Sequence, residues 1–239
     1  MKRCNTLLLV NASHPMPAAA APELAALDRR WPEVTLERRA AGLLRACVRA
    51  VGGQGAIRPV SGWRSREEQQ AIWDATLDRE GEEFTRKYVA RPGCSEHQTG
   101  LAIDLGEEME EIDFIRPAFP EDGVCGAFRR QAAQYGFILR YPAGKEAVTG
   151  IAHEPWHFRY VGVPHAGVMA ELGLTLEEYL ALLRRDYARR PLCLRSGPYA
   201  FQIQSYSGEE DLPAAPLPAG TYRQVSEDNC GGFVVTTWR

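Results

Sequence analysis

The stretch Ser95-Glu96-His97-Gln98-Thr99-Gly100-Leu101-Ala102-Ile103-Asp104 sets a histidine and an aspartate seven residues apart, with a glycine between them. Side chains on a straight strand alternate, so residues seven apart on it face opposite ways. Gly100 permits a turn, after which Ala102 and Asp104 share one face of a strand while Leu101, Ile103 and Leu105 share the other. A carboxylate in so apolar a strand is costly unless it is paired or bound to a cation. Two readings stand at this point: a structural aspartate–histidine pair, or two ligands of a metal.

A second segment, His153-Glu154-Pro155-Trp156-His157, matches H-E-x-x-H letter for letter. That pattern needs a helix to bring both histidines to one face. Pro155 disfavours helix at Glu154, and the run Trp156, Phe158, Tyr160 reads as strand. His153 is therefore set aside, while Glu154 and His157 are kept. His97, Asp104 and His157 then make a His₂Asp set with the fourth position left for water, the composition of a catalytic zinc site rather than a closed structural one. Glu154 beside it is the natural general base near neutral pH.

Taken together, Ser95-x-His97-x-x-Gly100-x-Ala102-x-Asp104 followed by Glu154-x-x-His157 resembles the signature of the zinc D-Ala-D-Ala peptidases, which comprise VanX dipeptidases, VanY carboxypeptidases and bifunctional VanXY enzymes. Three stretches are most similar to the VanXY type: Pro92 to His97, Gly136 to Pro142, and Glu154 to Gly162. The likeness runs from about Leu7 to Tyr187. It implies an active-site arginine at Arg64 that stabilises the oxyanion, substrate contacts at Ser95 and Gln69, and a pocket wall at Trp156. Read without it, these are a helix-start salt bridge, a turn hydroxyl, a solvent-facing glutamine and a core tryptophan. Cys94 reads as a small semi-buried thiol, because the ligand set is complete without it.

The resemblance further implies one zinc per chain and hydrolysis of D-Ala-D-Ala and of the C-terminal D-alanine of precursor pentapeptide, in glycopeptide resistance or cell-wall metabolism. Two alternatives stay open: a catalytically silent zinc-binding module of hedgehog-like fold, and an L,D- or endopeptidase on the same scaffold. A homodimer is also left open. The acid-rich segments Glu80 to Tyr88 and Glu107 to Ile112 are expected as mobile rims whose carboxylates attract a dipeptide ammonium.

The elements that position these groups follow from periodicity. A short strand is expected at Leu7 to Asn11, then an ordered Pro/Ala-rich arm through Ala18 to Pro22. Thr35 is expected to cap a helix carrying Leu36, Ala40, Leu44, Cys47 and Val51, ended by Gly52-Gly53. Ser65 and Glu68 form a capping box for a second helix with Ile72, Trp73 and Leu77 on one face. Strands are expected from Ile57, at Leu101 to Leu105, Phe137 to Tyr141 and His157 to Val161, with helices near Val124 to Tyr135 and Thr175 to Tyr187.

Irregular alternation favours an α+β class, a small antiparallel sheet flanked by helices with the zinc site on the sheet. After Pro191 three further strands are expected, at Tyr199 to Gln204, Thr221 to Val225 and Phe233 to Trp238, as a small β module whose aromatics are buried. The expected domains are thus 1–190, catalytic, and 191–239.

The 239 residues carry 28 basic and 31 acidic side chains, a net charge of −3 that gives no pull toward nucleic acid or an anionic membrane. No apolar run is long enough for a transmembrane segment. Six scattered cysteines without a C-x-x-C pair read as reduced thiols, hence a cytoplasmic protein.

Overall fold

The computed structural model describes residues 4–18 and 22–239. The expected arm includes residues 19–21, which lie outside the described residues. Leu7 to Asn11 is not a strand: Leu8 closes a turn on Asn5, Leu9 N–H donates to the Asp228 carbonyl, and an isolated bridge joins Asn11 to His14. The buried leucines there made an irregular segment look like a core strand.

The chain divides into two compact units, Val10–Thr175, and Met1–Leu9 with Leu176–Arg239. The division falls at Thr175, ahead of the expected boundary at 190/191, and leaves the last long helix with the tail.

In the Val10–Thr175 unit, β1 (Leu24–Asp28) and β2 (Trp31–Glu37) form an antiparallel hairpin that the Pro/Ala-rich composition concealed. Asp28 closes its turn by accepting from the Arg30 N–H at 2.9 Å. Thr35 therefore lies in a strand. The cap of α1 (Arg38–Ala50) is instead Glu37, whose carboxylate accepts from the N–H groups of Arg39 and Ala40. Leu36 fits the strand's alternation with Val34 as well as the helix's periodicity, which is why the start was read early.

There follow β3 (Ile57–Ser61), α2 (Arg66–Glu80), α3 (Glu82–Tyr88), β4 (Ala102–Glu107), α4 (Gly123–Gln131), β5 (Phe137–Leu139), the single turn α5 (Glu146–Thr149), β6 (His157–Tyr160) and α6 (Val163–Leu172). The Ser65–Glu68 capping box is present at the start of α2. Its buried residues are Gln69 and Thr76, with Ile72 and Trp73 half-buried, whereas Leu77 is exposed. Gln69 can hold an inward position because it and Ile72 look toward a polar cleft. Helix α3 replaces the expected mobile rim at Glu80 to Tyr88. Helix α6 is apolar enough to hide its periodicity.

Four strands pair antiparallel in the order β3-β4-β6-β5. One face of this sheet buries Ile103, Leu105, Phe137, Phe158 and Tyr160 against Ala40, Leu44 and Cys47 of α1 and Phe128 of α4. Phe128 meets Phe158 edge-on at 5.0 Å, a favourable aromatic geometry. The opposite face carries the polar residues.

In the second unit, α7 (Leu176–Asp186) precedes β7 (Leu192–Ser196), β8 (Tyr199–Tyr206), β9 (Tyr222–Glu227) and β10 (Phe233–Trp238), an antiparallel sheet ordered β7-β8-β10-β9. The three expected strands gain a fourth, β7. Phe201 and Ile203 are buried, but Tyr199 and Tyr222 are exposed, so the expectation that the tail buries its aromatics holds only for part of them.

Candidate active site

The register across the sheet decides which polar groups meet. Asp104 of β4 stands directly opposite His157 of β6, and Ala102 opposite Arg159, so these four share the polar face. His97 arrives from a single 3₁₀ turn, Glu96–Thr99, closed by Gly100 in the left-handed region at φ +70°. The required turn is thus built as the spacing predicts. On the other side, Pro155 and Trp156 occupy a tight turn in which His157 N–H donates to the Glu154 carbonyl at 3.3 Å. No helix forms there, and His153 is not among the grouped ligands.

His97, Asp104 and His157 offer ligand atoms that all lie within 4.8 Å of one another. His97 Nε2 lies 3.2 Å from Asp104 Oδ2, and His157 Nδ1 lies 2.9 Å from Asp104 Oδ1. All three residues are buried, and His97 Nε2 and Asp104 Oδ1 lack a hydrogen-bond partner. The buried orphan atoms His97 Nε2 and Asp104 Oδ1, converging with His157 Nδ1 on one point, fit a zinc ion. His97 Nδ1 is held 2.7 Å from the Gly62 carbonyl, which orients Nε2 into the site.

Glu154 Oε2 lies 3.6 Å from His157 Nδ1. Burial pushes its carboxyl up to about 8, into the range of a base that exchanges protons near neutrality. Burial, reinforced by the Arg64 cation, pushes His97 down to about 4. Burial alone would lower His157, but the Asp104, Glu96 and Glu154 carboxylates together raise the ring to about 9. Asp104 itself is held well below the carboxylate range by the two histidines, against the opposing effect of burial. Arg64 reaches Asp104 Oδ2 at 3.6 Å, and its buried Nε has no hydrogen-bond partner. It is therefore no helix-start surface pair.

The remaining expected residues line the same cleft: Ser95, Gln69 and Trp156, together with Tyr88, Phe114, Ile115 and Tyr141. Gln69 is buried, not solvent-facing; its amide donates to the Ala90 carbonyl at 2.8 Å, and its Oε1 is without a partner. Trp156 joins the core cluster as well as the cleft wall. The rim acids do not line the cleft; its carboxylates are Glu96, Asp104 and Glu154. Arg116 packs on the first of the two rim segments, its guanidinium 5.1 Å from the Phe84 ring and 5.7 Å from the Tyr88 ring.

Three residues went unremarked in the sequence. Glu96, Arg140 and Arg159 form an ionic cluster with fully buried side chains beneath His157. Burial opposes the ionised form of Glu96, yet the Arg140 and Arg159 guanidiniums hold its carboxyl far below the usual range. The available signal was an arginine at the polar-face position of each of two apolar strands, Phe137 to Tyr141 and His157 to Val161.

An antiparallel sheet presenting a buried His₂Asp set, a base-range carboxylate and a guanidinium to one cleft is the architecture of a peptidase. By sequence the chain belongs to the VanY D-alanyl-D-alanine carboxypeptidase family, whose model matches residues 33–163. The chain is 44 % identical over 189 residues to the bifunctional D-Ala-D-Ala dipeptidase and carboxypeptidase VanXYC of Enterococcus gallinarum, covering 77 % of this chain and 100 % of that protein. Among solved structures, the vancomycin-resistance D,D-dipeptidase VanXYg in complex with a D-Ala-D-Ala phosphinate analogue matches with a TM-score of 0.94 at 45 % identity, over 99 % of this chain and 94 % of that one. A VanY D,D-pentapeptidase from a VanB-type resistance cassette, solved with Zn(II), matches with a TM-score of 0.63 at 32 % identity, over 73 % and 98 % of the two chains.

Proposed function

We propose that this chain is a zinc D,D-peptidase that hydrolyses D-Ala-D-Ala and also removes the C-terminal D-alanine of precursor pentapeptide, in glycopeptide resistance or cell-wall metabolism. The observation that carries the reading is the convergence of His97, Asp104, His157 and Glu154 in one buried cleft of a chain with the VanXY fold. His97, Asp104 and His157 would hold one zinc ion. Zinc, when bound, lowers the pKa of water and polarises the scissile carbonyl.

Glu154 takes a proton from the attacking water and returns it to the departing amine. Arg64 turns its free Nε–H toward the carbonyl oxygen as negative charge develops there, in a buried site where such a donor is worth most. Gln69 and Ser95 contact the substrate backbone, and Trp156 walls the pocket. Glu154 and Arg64 side by side disfavour a silent hedgehog-like module, which has no use for a base and an oxyanion donor.

A cytoplasmic location accords with six cysteines, none of them in a disulfide, and no described helix is long and apolar enough to cross a membrane. Product analysis on dipeptide, pentapeptide and tetrapeptide tests the specificity. D-alanine from the first two and little from the tetrapeptide is expected. Preference for the tetrapeptide would make the chain an L,D-carboxypeptidase.

A further inference from the structure

We infer that Glu96 is a positioning residue for His157: its carboxylate accepts the Nε2 proton of that imidazole and so fixes the ring with Nδ1 toward the metal site. The inference rests on the reading of His157 as a zinc ligand. Three observations carry it. His157 points Nδ1 at Asp104 Oδ1, 2.9 Å away, which leaves Nε2 on the far side of the ring. That Nε2 is buried without a hydrogen-bond partner, and so is Glu96 Oε2, which faces it at 3.8 Å. The other oxygen, Glu96 Oε1, is taken by Arg140 Nε at 2.8 Å and Arg159 Nη1 at 2.9 Å.

The chemistry closes the argument. A neutral imidazole that ligates through Nδ1 must carry its proton on Nε2. A buried N–H without an acceptor is costly, and a separation of 3.8 Å exceeds a hydrogen bond by less than an ångström. A small ring rotation therefore satisfies two orphan atoms at once. With two guanidiniums compensating its charge, Glu96 stays an acceptor. His97 is held in the same manner by the Gly62 carbonyl, so each histidine has its own support behind it. Glu96 follows Ser95 and precedes His97, which places one ligand and the support of another on the same turn.

The test uses the full chain with histidine nitrogens labelled with ¹⁵N. In the wild type titrated with zinc, His157 should show a protonated, slowly exchanging Nε2 and a metal-shifted Nδ1. Zinc that shifts His157 at Nε2 instead overturns the inference. Zinc that leaves His157 unmoved overturns the ligand set itself, a separate failure. Glu96→Asp keeps the charge but withdraws the carboxylate by one methylene. It should weaken zinc about 10–100-fold in competition with a chelator, the range for lost support of a ligand. Arg140→Lys keeps the carboxylate and should leave zinc affinity within about twofold while lowering the melting temperature. A folded Glu96→Asp protein with wild-type zinc affinity would make the cluster purely structural.

Discussion

His97 Nδ1 lies 2.7 Å from the carbonyl oxygen of Gly62, and no side chain fits at that glycine: a Cβ there would lie 2.2 Å from the Thr35 carbonyl oxygen. The obstacle is backbone, so it cannot swing aside as a side chain would. Gly62→Ala should therefore push β2 and β3 apart and move the carbonyl that orients His97. The expected result is a stability loss of about 1–3 kcal/mol, the usual range for overpacking, together with weaker zinc binding. Denaturant unfolding and chelator competition on the same preparation check both halves.

Arg64 should act on the rate and not on the metal. Arg64→Ala is expected to lower kcat about 10²–10³-fold, the range for removing one oxyanion donor, while zinc content stays at one per chain. Loss of zinc along with turnover would mean that the guanidinium supports Asp104, which it approaches at 3.6 Å.

The acid limb of activity should belong to Glu154. A base must be deprotonated, and burial holds this carboxyl at about 8 in the metal-free chain. A nearby dication favours the ionised form, so the limb moves below pH 8 when zinc is bound. kcat/KM should fall about tenfold per pH unit beneath it. A profile flat down to pH 5 would remove Glu154 from the proton path.

His165 gives the fold its own pH dependence, away from the site. It lies buried in α6, and burial lowers its pKa to about 3 from the ordinary value of 6.5. Between those values the unfolded chain binds the proton and the folded chain does not. Stability is therefore complete above about pH 6.5 and falls as pH drops toward 3, by ~1.4 kcal/mol per unit. His165→Leu should flatten that slope in denaturant titrations between pH 4 and 6.5.

The grouping of His97, Asp104 and His157 was legible because local chemistry dictated it. Pro155 forbids the helix that a His153–His157 pair would need, and Gly100 allows the turn that brings His97 to Asp104. The cluster of Glu96, Arg140 and Arg159 was hidden because it depends on the register of β4, β5 and β6, which no single segment specifies. The cap of α1 was misplaced for a different reason. Leu36 satisfies both the strand and the helix pattern, and the choice is made by hairpin pairing with Ala25. Read without the resemblance, Gln69 is a solvent-facing glutamine; tertiary packing buries it and turns it toward the cleft.

The division of labour between ligands and base is tested most directly with Glu154→Ala. Zinc content and release of D-alanine from D-Ala-D-Ala are measured on one preparation beside the wild type. The variant should keep one zinc per chain and lose turnover by about 10²–10⁴-fold, the span of general acid–base catalysis. A variant that loses its zinc, or one that keeps both zinc and turnover, would contradict the assignment of His97, Asp104 and His157 to the metal and of Glu154 to the proton.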